Sequence, residues 1–133
     1  MKKVIVSVII LILLVTCYGV YMFTKKTPSL QKVTPDYIVT ADDLFDEFES
    51  DEKNSIMKYE SQVIQVSGTI LMVTKTDSIS NVILNAKDAI MGGVNCSFNK
   101  LEDSLQNGDT VTIKGRCQGY LTNVILNNCV IVK

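Results

Sequence analysis

Hydrophobic and polar positions fall into three successive patterns along the chain. Residues 4–23 carry no charge at all. A helix of that length, rising about 1.5 Å per residue, spans about 30 Å, the hydrocarbon thickness of a bilayer. No Ala precedes Ala41, so a small-x-small cleavage signal is poorly formed. The pattern predicts an uncleaved signal-anchor transmembrane helix over residues 1–24. Leu14, Val15, Thr16 and Cys17 have the outline of a lipoprotein processing box, but apolar residues continue through Tyr18, Val20, Tyr21, Met22 and Phe23. Residues 25–39 show no sustained period and contain Pro28 and Pro35, which predicts a linker.

A helical period then starts at Thr40. Thr40 can cap, with Asp43 three positions on, and Val39 and Leu44 stand at the two places of a hydrophobic staple. Leu44, Phe45, Phe48, Ile56 and Tyr59 mark one apolar face, with a gap over residues 50–53. An acidic helix over about 40–59 is expected, with that face packed on the domain C-terminal to it.

From Gln62 the period becomes two. Ile64, Val66, Gly68, Ile70 and Met72 alternate with Gln65, Ser67, Thr69 and Leu71 in a long strand, which Gly68 marks as bent or bulged. Shorter strands are expected at 81–85, at 94–98 and from Thr110 to Cys117, and a last one from Asn123 to Val132. Its phase is ambiguous at Asn127 and Asn128. Residues 100–106, with Leu101 and Leu105, read as a short helix ended by Asn107 and Gly108. Five strands, a bent first strand and one helix between the third and fourth describe a mainly β domain, the OB-fold Greek-key barrel, over residues 40–133. Closure matters at this size, because a flat sheet would leave unpaired edges and little apolar burial.

Charge refines this picture. The chain has 13 Lys and Arg, 14 Asp and Glu and no His. Without imidazole, a Ser-His-Asp triad, a Cys-His dyad and every metal site that needs a His ligand are excluded. Eight acids and two Lys fall in residues 41–60, whereas residues 61–133 are nearly balanced. Asp46, Glu49 and Glu52 lack the alternation and central Gly of a calcium loop, and the acids read as a solvated helix face. Lys2 and Lys3 precede the apolar run while Lys25 and Lys26 come after it, so the positive-inside rule hardly discriminates. The free amino terminus tips the expectation toward a single-pass protein of the cell membrane with its C-terminal domain outside the cytoplasm.

The chain resembles the tRNA-anti-like family of bacterial OB-fold proteins, a mostly uncharacterised group with an N-terminal membrane or lipoprotein segment. The resemblance rests on residues 41–48, on Lys58 and Tyr59 leading into residues 64–68, on residues 105–115, on Cys117-Gln118-Gly119 and on residues 124–129. It implies an OB barrel and, by analogy of fold, nucleic acid; it carries over no catalytic residues.

Cys117 and Cys129 flank a predicted hairpin whose midpoint is residue 123, so they are disulfide candidates outside the cytoplasm, in agreement with the family pattern. The alternative is three reduced, buried thiols at Cys96, Cys117 and Cys129. OB barrels bind along the second and third strands, between the first and last hairpin loops. The candidate ligand-binding residues are therefore Lys75, Asn81, Asn85, Asn95 and Tyr120, with Ile83 and Ser97 on the same face. Residues 61–133 hold only Phe98 and Tyr120 as aromatics, a poor platform for stacked bases. The expected function is a membrane-anchored, non-catalytic interaction module for a protein, peptide or envelope glycan, with no cofactor and no metal. The alternative is a single-stranded nucleic-acid-binding domain.

Overall fold

The computed structural model describes residues 1–25, 28–87, 89–90 and 92–133. Helix α1 (Lys2–Thr24) is long and apolar enough to cross a membrane. A 3-10 turn (Leu30–Lys32) and a strand, β1 (Tyr37–Thr40), come next. Two helices, α2 (Ala41–Ser50) and α3 (Glu52–Tyr59), lead into β2 (Val63–Lys75), β3 (Ser80–Asn85), β4 (Gly93–Phe98), β5 (Thr110–Tyr120) and β6 (Val124–Ile131).

The long strand β2 makes the barrel close. Its first half, residues 63–69, pairs antiparallel with β5, and its second half, from Ile70, pairs antiparallel with β3. A bulge between Ile70 and Met72 separates the two halves. One strand thus serves two neighbours, and the sheet curls on itself through β3, β4, β6 and β5 back to β2. The β4–β6 pairing is parallel and the other contacts of the ring are antiparallel. This is the five-stranded closed barrel expected from the alternation, with β1 added outside the ring as a parallel partner of β2. Gly68 lies just before the bend, where an added Cβ would come within 2.9 Å of the Ala41 side chain. Its lack of a side chain lets the start of α2 settle against β2.

Alternation fills the interior with Ile64, Val66, Val82, Leu84, Val94, Cys96, Phe98, Ile113, Cys117 and Leu126. Helix α2 covers one end of the barrel, burying Leu44 and Phe48 completely. Thr40 caps it as expected, the Asp43 N–H donating to Thr40 Oγ1 at 3.1 Å, while the Asp43 carboxylate takes the Thr40 hydroxyl, at 2.7 Å, in place of the backbone N–H of a capping box. The single acidic helix expected from the sequence is in fact two. Asp51 leaves the helical region at φ −152°, ψ 80°, and its carboxylate accepts the Asn54 N–H at 3.2 Å to start α3. The break falls in the gap of the apolar pattern, where no buried side chain holds the helix straight.

The other end is closed without the helix expected at residues 100–106; residues 99–109 run as turns. Their backbone donors go elsewhere than to carbonyls four residues back. The Glu102 N–H donates to Ser80 Oγ, the Gln106 N–H to the Asp109 carboxylate and the Gly108 N–H to the Ile70 carbonyl. Leu105 still reaches the core.

The stretch expected as a linker is largely laced onto the barrel. Leu30 is buried with Val63 and Val130. Asn128 Nδ2 donates to the Pro28 carbonyl at 2.9 Å, and Gln31 Nε2 donates to the Ile131 carbonyl at 3.3 Å. Lys114, 7 % exposed, donates from Nζ to the carbonyls of Gln31 and Val33. Four residues of strand among turns are too few to show a period, which is why β1 is silent in the sequence.

Candidate functional site

The outward positions of β3, β4, β6 and β5 form a polar face. Alternation that sends Val82, Cys96, Leu126 and Cys117 inward turns Asn81 and Ile83, Asn95 and Ser97, Ile125 and Asn127, and Arg116 and Gln118 toward the surface. Register then sets neighbours. Asn81 lies opposite Ser97, Ile83 opposite Asn95, Asn95 beside Ile125, and Arg116 opposite Asn127. The Ser97 hydroxyl donates to Asn81 Oδ1 at 2.7 Å.

On this face an open groove of about 360 Å³ is lined by Ser97, Asn99, Arg116, Gln118, Asn127 and Asn128. Asn99 Nδ2 donates to Asn128 Oδ1 at 2.8 Å, and Arg116 Nη1 donates to the Ser61 carbonyl at 2.6 Å. These bonds hold the amides and the guanidinium in place while leaving other donors unused. Asn95 Oδ1 is buried and has no hydrogen-bond partner among the described residues. An acceptor of this kind costs stability unless a donor meets it. Among the described residues the groove is chemically a set of neutral donors and acceptors around one cation, with no aromatic in its lining.

The candidate residues separate. Asn81 and Asn95 share the face just described. Lys75 stands at the turn-closed end, paired with Asp103 at 3.3 Å. Asn85 stands toward the helix end, beside a separate hollow of about 290 Å³ that includes Thr40, Asp42 and Thr69. Tyr120 is also at the helix end, stacked on Phe48 with centroids 5.6 Å apart and edge-on to Phe45 at 6.0 Å. Burial, and secondarily Glu49 and Glu52, push its phenol above the ordinary value. With Phe45, Glu49, Ala89, Ile90, Thr122 and Asn123 it lines a hollow of about 340 Å³. Arg116, Gln118, Asn99, Asn127 and Asn128 escape a reading confined to the second and third predicted strands. The signals for them were the polar phase of the fourth predicted strand and the broken phase at Asn127.

The expected Cys117–Cys129 pairing is corrected by the register. Cys117 lies opposite Leu126, and the β5–β6 ladder slips twice, between Lys114 and Arg116 and between Cys117 and Gly119. Equal distance from a turn places two residues opposite each other only when no bulge intervenes. All four cysteines are thiols, and burial pushes Cys117 above its ordinary value.

At the outer edge of the helix end, Lys58 Nζ lies 2.8 Å from Glu47 and Tyr59 Oη donates to the same carboxylate at 3.0 Å. The hydrogen bond to Glu47, then that to Tyr59, hold Lys58 protonated beyond its usual range. This trio braces α2 to α3. Among the described residues no cluster of three His, Cys, Asp or Glu is placed to hold a metal.

No curated protein matches the chain. Among solved structures, a "putative nucleic acid-binding lipoprotein" from Klebsiella pneumoniae subsp. pneumoniae has the same fold, with a TM-score of 0.61, 17 % identity, and coverage of 72 % of this chain and 91 % of that one. The model of the tRNA_anti-like family matches residues 1–131, and the chain belongs to that family.

Proposed function

We propose that the protein is a membrane-anchored OB-type binding module, non-catalytic, with its barrel outside the cytoplasm. Residues 1–24 are the anchor, and the folded domain begins close behind it. The short linkage supports this reading. Between Thr24, the last residue of α1, and Pro28, held by Asn128, the chain can reach no more than about 14 Å in any conformation. The barrel would ride at the bilayer surface.

The observation that carries the binding reading is the groove of carboxamides around Arg116. Such a lining suits a ligand recognised by hydrogen bonds, a protein segment, a peptide or an envelope glycan, more than one recognised by stacking. Binding of peptidoglycan fragments and of peptides to the full chain in nanodiscs tests it, with Gln118→Ala and Arg116→Gln as controls. Affinity reduced about tenfold or more by Gln118→Ala, as expected for a lost buried hydrogen bond, supports the groove.

A second reading, single-stranded nucleic acid, draws on the description of the structural neighbour. It requires oligonucleotide binding that weakens steeply with salt and depends on Arg116. Tight, salt-sensitive oligonucleotide binding without glycan or peptide binding would replace the first reading by the second. Protease added to intact cells tests the topology, since barrel peptides released from outside require the proposed orientation.

A further inference from the structure

We propose that the hollow at the helix end is a second binding site, separate from the groove around Arg116, and that it takes an arginine side chain presented by a protein partner. The two share no lining residue. The walls of the hollow, about 340 Å³ in volume, come from elements that the fold brings together. Helix α2 supplies Phe45 and Glu49, one turn apart on one face. The end of β5 and the turn into β6 supply Tyr120, Thr122 and Asn123. Ile90, 99 % exposed, adds an apolar lip from the segment between β3 and β4.

The polar groups of this lining are unused. Among the described residues the Glu49 carboxylate, the Tyr120 and Thr122 hydroxyls and the Asn123 carboxamide make no side-chain hydrogen bond, and Glu49 is in none of the three ion pairs. Glu49 is also the one charged residue of the lining. A carboxylate only accepts, and hydroxyls and carboxamides accept as well as donate, so the set suits a guest made of donors. A guanidinium brings five N–H donors, no acceptor and a plane that lies well against aromatic walls such as Phe45 and Tyr120. A phosphate or a nucleic-acid strand would instead be repelled. Residues 41–60 carry eight acids against two Lys, and one of those, Lys58, is held by Glu47. The same charge draws a cationic partner in.

The surroundings favour a protein segment over a free cation. Ile90 lines the hollow, and Leu121, 77 % exposed, adjoins Tyr120 and Thr122 in the chain. Apolar side chains beside an acidic hollow are surface that a peptide covers and a small cation leaves wet. The hollow is also accessible with the anchor in place. The chain enters the barrel at the opposite end, where Pro28 and Gln31 are bound to Asn128 and Ile131.

The experiment measures the anisotropy of a fluorescent peptide with arginine between two leucines. It is added to the full chain in nanodiscs of zwitterionic lipid, which does not itself attract the peptide. Counterparts carry lysine or citrulline in place of arginine. The arginine peptide should bind at least about tenfold tighter than the citrulline one, with lysine between them. Glu49→Gln, at an exposed position, should weaken the arginine peptide by at least about tenfold. Asp77→Asn, which removes the same charge from the exposed β2–β3 turn at the far end, should leave it unchanged. Ile90→Ser should weaken it about threefold. Failure of the arginine peptide to bind overturns the proposal. So does lysine or citrulline binding as tightly, or an equal effect of Glu49→Gln and Asp77→Asn. An unchanged affinity in Ile90→Ser overturns the assignment to a protein segment. Arginine-peptide binding that survives Glu49→Gln and is lost in Gln118→Ala overturns this site while supporting the groove.

Discussion

The two ends of the barrel are closed by different physical means. At one end α2 and α3 bring Leu44, Phe48 and Tyr59 into the core, and an aromatic run of Tyr37, Tyr59, Phe48, Tyr120 and Phe45 continues to the surface. At the other end residues 99–109 bring in Leu105 alone and are held by hydrogen bonds made one at a time. An amphipathic helix supplies several large apolar side chains once its own backbone is satisfied. A turn segment must find a separate partner for each N–H it turns inward. The helix end is therefore held mainly by burial, and the turn end mainly by polar contacts.

Substitutions should rank accordingly. Phe48→Ala removes the centre of the aromatic run and should cost about 3–5 kcal/mol, read as a lowered urea midpoint. A loss below about 1.5 kcal/mol would show that the helix end does not dominate. Leu105→Ala should cost less, about 2–3 kcal/mol, because turns can settle into the space left behind. If it cost as much as Phe48→Ala, the distinction between the ends would fail. Thr40→Ala deletes the cap of α2 and should cost about 1 kcal/mol, with faster amide exchange confined to the first turn of that helix.

A pH series separates the ends by direction rather than by size. Burial raises the phenols of Tyr59 and Tyr120 above 10.0 and the thiol of Cys117 above 9.0, and all three lie toward the helix end. Their neutral forms are favoured in the folded chain, so the unfolded chain ionises first as pH rises. The stability they contribute is present below about pH 9 and falls as pH rises through the folded values. The urea midpoint of the reduced protein should fall over that window. Leu105→Ala should keep the slope, and Phe48→Ala, by loosening the packing on Tyr59 and Tyr120, should flatten it.

How much was legible in the sequence depends on the range of the interactions. Strand alternation, the bend near Gly68 and the Thr40 cap are set within a few residues, and each is seen in the structure. The break at Asp51 was visible as a gap but not as a second helix, since that depended on a side-chain cap. The segment after β4 carried helical spacing at Leu101 and Leu105, but its backbone was claimed by Ser80 and Ile70, which lie more than twenty residues away. Lys114 shows the limit most clearly. Alternation assigns it to solvent, yet a segment about eighty residues earlier covers it. The polar groove was half legible, because Asn81, Asn95 and Ser97 are placed by alternation within two strands. Arg116, Gln118 and Asn127 needed the closure of β5 on β6.

The hydrogen bonds from Asn128 to Pro28 and from Gln31 to Ile131 place the tail of the chain next to the start of its folded part. A reporter fused after Lys133 would therefore sense the immediate neighbourhood of the apolar helix, and a bulky one would crowd it. Ile90, 99 % exposed on the opposite end, is the better attachment point for a dye meant to look outward. Paired labels at these two places would serve as a ruler for the tilt of the barrel.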